Sequence, residues 1–76
     1  MKDTLGFMVT SVVDVPKAVD IDEQEVNGKT IFTIHADPSD IGKLIGKRGR
    51  VIRAIRDLVK LMATKENKYV DVTIAE

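Results

Sequence analysis

Residues 40–58 read DIGKLIGKRGRVIRAIRDL, and the fold turns on how that stretch is divided. Ile41, Leu44 and Ile45 occupy one face of a helix, and Val51, Ile52, Ile55 and Leu58 resume helical spacing after a break. The break is Gly46-Lys47-Arg48-Gly49. A short helix is therefore expected over about Ser39 to Ile45, burying Ile41, Leu44 and Ile45. It should end at Gly46, since glycine readily takes the left-handed conformation that closes helices. A longer helix should follow over about Arg50 to Thr64. Its buried stripe is Val51, Ile52, Ile55, Leu58, Val59 and Met62, widened by Ala54 and Leu61. Arg50, Arg53, Arg56, Asp57 and Lys60 hold the other side.

Upstream, Asp37-Pro38-Ser39-Asp40 breaks the chain before the short helix, with Asp37 or, preferably, Ser39 as its cap. Before it, KTIFTIHA places Phe32, Ile34 and Ala36 on one face of a strand and Ile31, Thr33 and His35 on the other. Asn27-Gly28 precedes that strand. Both residues tolerate the positive φ of a type I′ turn, so VDIDEQEV should pair back antiparallel on KTIFTIHA. The chain opens with a helix from about Lys2 to Asp14, on Leu5, Met8, Val9, Val12 and Val13, bounded by Pro16. Phe7, on its flank, and Phe32 are both expected in the core. At the other end Val70, Val72 and Ile74 alternate inward along a last strand, YVDVTI. The order is helix, strand, strand, short helix, loop, helix, strand. That predicts an α+β fold, a three-stranded sheet covered on one face by three helices.

Composition narrows the function. The chain has 76 residues, enough for one domain over 1–76 with a modest core of roughly 3–5 kcal/mol. Association with another chain is a natural source of further burial. There is no cysteine, hence no disulfide and no thiolate metal site. No apolar run reaches the ~18 residues of a membrane span, and the first residues lack the layout of a signal peptide. A cytoplasmic protein is expected. His35 is the single histidine, without the companions that a metal site or a catalytic centre needs. Ser11 and Ser39 have no adjacent base. No enzyme, metal or cofactor is expected.

Net charge is zero but unevenly distributed. Residues 1–42 carry three basic and eight acidic side chains, whereas residues 43–60 carry seven basic ones against Asp57. A local basic stripe attracts a polyanion whatever the total charge. At its centre, glycines let another backbone approach closely. The N–H groups opening the second helix form an anion site, and Lys47 and Arg48 add charge. A nucleotide P-loop is excluded: three residues separate Gly42 from Gly46, and Lys47 is followed by Arg48 rather than Ser or Thr. A short GxxG on its own equally describes a solvated turn.

The neighbourhood decides between these. DIGKLIGKRGRVIRAIRDL resembles the signature of the KH domain, an RNA-binding module whose GxxG loop clamps the backbone of about four nucleotides. The match includes Leu44-Ile45 before Gly46 and Ile52 after Gly49. The helix and strand ahead of the core resemble the type II arrangement, whose sheet is mixed; the extension spans 1–28 and the minimal core 29–76. A chain made of one such domain is similar to the small stand-alone bacterial KH proteins of the KhpA family. The resemblance implies that Gly46, Lys47, Arg48 and Gly49 contact phosphates of single-stranded RNA. Lys43 and Arg50 flank the loop, and Arg53, one turn on, is within reach. Arg56 and Lys60 read instead as a solvated face. The resemblance also implies that Ile41, Leu44, Ile45 and Ile52 line an apolar groove for bases. It further implies a homodimer, or a heterodimer with a larger Jag-type KH partner (KhpB), in RNA regulation linked to cell elongation and division. A partner-binding module with RNA secondary is the alternative.

Overall fold

A computed structural model describes residues 1–75 of the chain. The sheet is organised by Asn27 and Gly28, whose φ angles of 52° and 80° match the positive values of a type I′ turn. This two-residue turn joins strand β1 (Asp20–Val26) to β2 (Lys29–His35), antiparallel from Val26 opposite Lys29 to Asp20 opposite His35. Strand β3 (Tyr69–Ile74) lies on the other side of β2 and runs parallel to it, so the order is β1-β2-β3 and the sheet is mixed. Parallel neighbours need a long crossover. Here it contains the short helix α2 (Ile41–Ile45) and the long helix α3 (Arg50–Lys65), which join the N-terminal helix α1 (Lys2–Val12) in covering the sheet. This is the expected α+β arrangement.

The core follows the two periodicities. Phe32 and Ile34 of the central strand, Val70 and Val72 of β3 and Ile21 of β1 meet Leu5 and Val9 of α1 and Leu44 of α2. From α3 come Ile52, Ile55, Val59 and Ala63.

Several residues expected to be buried lie outside it, Ala54 and Leu61 (57% exposed) among them. Phe7 is 73% exposed, because two residues beyond Leu5 puts it about 200° round the helix from the buried line. Leu58 is 52% exposed, because the buried line of α3 runs through Ile55 and Val59 and leaves Leu58 on the adjoining flank. Shorter helices account for other differences. α1 ends at Val12, and α2 begins at Ile41 after a 3₁₀ turn over Pro38–Asp40. Asp37 caps this 3₁₀ turn rather than α2 itself, which has no side-chain cap among the described residues: the Asp37 Oδ1 accepts from the Ser39 N–H at 2.9 Å and from the Ser39 hydroxyl at 2.7 Å. These bonds favour the ionised carboxylate and hold the Asp37 pKa below its ordinary value.

Asp40 is the buried charged residue of the described part, and it is fully enclosed. Its two carboxylate oxygens accept from the backbone N–H groups of Asp14 and Val15, each at 3.0 Å. The carboxylate thus fastens the segment leaving α1 to the entrance of α2. Asp40→Ala removes both acceptors and should destabilise the fold by about 2 kcal/mol. That lowers Tm by roughly 8–16 °C, while Asp40→Asn, which keeps one acceptor, should lose less. Thermal denaturation followed by circular dichroism measures both.

Candidate nucleic-acid interface

The loop between α2 and α3 is set by backbone geometry before any side chain acts. Gly46 donates its N–H to the Gly42 carbonyl at 2.9 Å and then departs at φ 73°, ψ 176°. This is not the left-handed helical conformation expected from the sequence. It belongs to the positive-φ extended region that glycine alone adopts readily. A Cβ on Gly46 would lie 2.5 Å from Val51 Cγ2 and 2.9 Å from Val51 Cβ. The end of α2 is therefore pressed against the first turn of α3.

From there a single tight turn leads into α3. Gly49 N–H donates to the Gly46 carbonyl at 3.1 Å, and Arg50 N–H donates to the Lys47 carbonyl. Two of the N–H groups that the sequence offers to an anion are thus engaged within the loop. Arg48 (φ 57°, ψ 26°) and Gly49 (φ 74°, ψ 20°) are both left-handed, which for a non-glycine residue costs roughly 1–2 kcal/mol. Arg53 counters that strain: its Nε donates to the Gly49 carbonyl at 3.3 Å and its Nη2 to the Arg48 carbonyl. Arg53 thereby positions the loop from within.

The basic stripe accordingly divides in two. Lys43 reaches back to the Asp14 carboxylate. Its pKa is raised, first by that hydrogen bond, with the charges of Asp14 and Asp40 adding to it. A raised lysine pKa leaves the contact intact at neutral pH and releases it only as an alkaline pH passes the raised value. Arg56 is not on a solvated face. Its Nε and Nη2 both donate to the Val72 carbonyl at 3.2 Å, beside Asp71. Lys47, Arg48 and Arg50, by contrast, are exposed, and among the described residues none of them enters an ion pair.

The apolar candidates divide as well. Leu44 is fully buried and Ile52 is 8% exposed, so both belong to the core, whereas Ile41 and Ile45 are half-buried beside the loop. A partner surface is expected from the apolar rim around Gly46 and from Leu61, but not its extension over Phe7 and Leu58. A shallow cavity of about 460 Å³ runs between α1 and α3, with Phe7, Met8 and Val12 on one wall and Val51, Ala54 and Leu58 on the other. Val51, Ala54, Leu58 and Leu61 recur three or four residues apart, one position out of phase with Ile52, Ile55 and Val59. Reading α3 as two adjacent lines rather than one wide stripe would have found this surface.

His35 Nε2 lies 2.7 Å from Asp22 Oδ2 across the open face of the sheet. Among the described residues, no three His, Asp or Glu side chains are grouped to hold a metal ion. No helix there is long and apolar enough to cross a membrane.

A mixed three-stranded sheet under three helices, with a GxxG turn joining the second helix to the third, defines a KH domain. A family model described as the KhpA/KhpB KH domain matches residues 2–74. The RNA-binding protein KhpA of Clostridium perfringens is 42% identical over 74 residues, covering 97% of this chain and 99% of that one. The protein of the same name from Chlamydia trachomatis is 38% identical over 76 residues, covering 100% of this chain and 97% of its own. The chain belongs to the KhpA/KhpB KH-domain family. Among solved structures, Aquifex aeolicus Era superposes with a TM-score of 0.55 at 13% identity, over 93% of this chain and 29% of that one. That likeness is one of fold.

The two loop glycines should respond differently to substitution. Gly46→Ala meets Val51 at 2.5 Å and demands a conformation foreign to alanine, so it should destabilise the domain by about 3 kcal/mol and disorganise the loop. An added Cβ at Gly49 meets only the Arg53 side chain, at 3.8 Å, so Gly49→Ala should lose about 1 kcal/mol. Urea denaturation of the two variants checks the ranking.

Proposed function

We propose that this protein is a non-enzymatic RNA-binding protein of the cytoplasm that grips the backbone of single-stranded RNA through the Gly46-Lys47-Arg48-Gly49 loop. The observation that carries this reading is the division of the basic stripe. Lys43, Arg53 and Arg56 are tied to the protein itself, while Lys47, Arg48 and Arg50 stand exposed around a constrained turn and, among the described residues, outside any ion pair. Lys60 is likewise exposed but lies away from the turn along α3. Lys47 and Arg48 hold phosphates, and Arg50 extends the contact along the strand. Gly49 lets the backbone approach, and Gly46, whose missing Cβ faces Val51, shapes the turn that receives it. Ile41 and Ile45 offer an aliphatic wall to bases, with Leu44 and Ile52 supporting it from below. Lys43 and Arg53 reinforce the positive potential while keeping their internal partners. The relatives named as RNA-binding proteins support the ligand class.

With about three phosphates neutralised, the logarithm of affinity should fall against the logarithm of salt with a slope near −2. Lys47→Asp combined with Arg48→Asp should abolish binding to a labelled single-stranded RNA pool while leaving the circular dichroism spectrum and Tm close to those of the wild type. A folded double variant that binds normally would remove the clamp.

A second role is favoured by one observation, the apolar cavity bordered by Phe7 and Leu58. Patches of exposed apolar surface mark association sites. We propose that the domain dimerises through this α1/α3 face, with itself or with a larger Jag-type KH protein (KhpB), in RNA-level regulation linked to cell elongation and division. The loop lies at the α2 end of α3, so two weak RNA sites in one dimer gain from effective concentration. Leu58→Lys should shift the mass measured by light scattering from dimer to monomer without unfolding the domain. A wild-type protein that is monomeric both alone and with KhpB present would end this reading.

A further inference from the structure

The two edges of the sheet are treated differently. At the β3 edge, the outward peptide groups of Val72 are occupied by side chains: its N–H donates to Asp71 Oδ1 at 2.9 Å and its carbonyl accepts from Arg56. Side chains that occupy edge groups in this way keep other strands off. Among the described residues, the β1 edge has no such plug.

In β1 the residues flanking the two-residue turn, Val26 and Lys29, form a hydrogen-bonded pair, and pairing alternates from there. The N–H and carbonyl groups of Ile21, Glu23 and Glu25 therefore point away from β2, along the free edge. The strand is seven residues long, has no proline and no basic residue, and is exposed at every position but Ile21. Its exposed side chains include Asp20, Asp22, Glu23 and Glu25, with carboxylates directed to both faces.

Those charges select the occupant. Two copies of β1 pairing edge to edge would set carboxylates opposite carboxylates, which is destabilising. An incoming strand bearing lysine or arginine would meet acidic neighbours on either face. A cavity of about 330 Å³ also opens between α1 and β1, against Ile21, beside Gly6. Glycine is a poor residue for the middle of a helix. An added Cβ at Gly6 would meet Ile21 Cδ1 at an ordinary 3.8 Å, so packing does not require glycine there. Its absent side chain leaves the cavity open over the strand edge.

The geometry points to β1 as a docking strand that accepts an extended, lysine- and arginine-bearing segment of another protein by strand addition. Main-chain hydrogen bonds to Ile21, Glu23 and Glu25 supply the pairing. The carboxylates set the charge preference, and the cavity beside Gly6 takes an apolar side chain of the incoming segment. This surface lies on the opposite edge of the sheet from β3 and uses none of Lys47, Arg48 or Arg50, so its test is independent of RNA binding.

The probe is a synthetic peptide as long as β1, alternating lysine or arginine with valine, titrated into the full chain at low salt. Amide-resolved NMR should show binding, and hydrogen exchange should show new protection at Ile21, Glu23 and Glu25. Glu23→Pro removes an outward N–H without breaking the β1–β2 ladder. It should weaken binding at least tenfold, as should Glu23→Lys with Glu25→Lys. Gly6→Leu, which fills the cavity, should weaken it several-fold. The Lys47→Asp/Arg48→Asp variant should bind the peptide like the wild type. No binding would overturn the proposal. So would binding without amide protection that Glu23→Pro leaves unchanged, since that is attraction between charges and not strand pairing.

Discussion

The contact between Gly46 and Val51 governs the functional half of this molecule. A chain leaving α2 at φ 73°, ψ 176° with no Cβ can lie directly on the first turn of α3. That closeness leaves room for only one tight turn between the helices, and the turn forces Arg48 and Gly49 into left-handed conformations. Arg53 then holds the two strained carbonyls. The side chains of Lys47 and Arg48 are exposed, while the carbonyls of Lys47, Arg48 and Gly49 are taken up inside the turn. A larger residue at position 46 would separate the helices and dissolve this arrangement.

Much of the fold was legible because two signals are local and unambiguous. Asn27-Gly28 between alternating strands specifies a hairpin, and apolar spacing on either side of a glycine pair specifies helix, turn, helix. The mixed sheet came from the KH resemblance rather than from any strand pattern, and the parallel pairing of β3 with β2 agrees with it. What the pattern could not provide was which flank of a helix faces the sheet. Leu58 and Phe7 are as apolar as their buried neighbours, and it is their angular position on α3 and α1 that leaves them outside. Asp40 escaped notice for the opposite reason. An aspartate in a polar turn reads as solvated until the backbone of Asp14 and Val15 is brought to it.

The same limit applies to the site. The sequence separates the basic residues at 43, 47, 48, 50 and 53 only by distance from the glycines, whereas tertiary partners separate them by role. Lys43 joins α2 to the segment after α1, and Arg53 braces the loop. Of these five, Lys47, Arg48 and Arg50, at the turn, are in no ion pair among the described residues. The domain thus combines a basic turn at one end of α3, an apolar flank shared by α1 and α3, and an acidic strand at the far edge of the sheet. Each surface suits a different class of partner; the turn and the apolar flank meet at Arg50, which borders both.

The central claim is that the glycine turn is where RNA is held. The most direct test is an amide-resolved NMR titration of the wild-type protein with a short single-stranded RNA of mixed sequence. The account predicts that the largest shifts fall on Gly46 through Arg50 and continue to Ile41 and Ile45. Shifts concentrated on β1 or on the Phe7–Leu58 flank, with the turn unmoved, would contradict it.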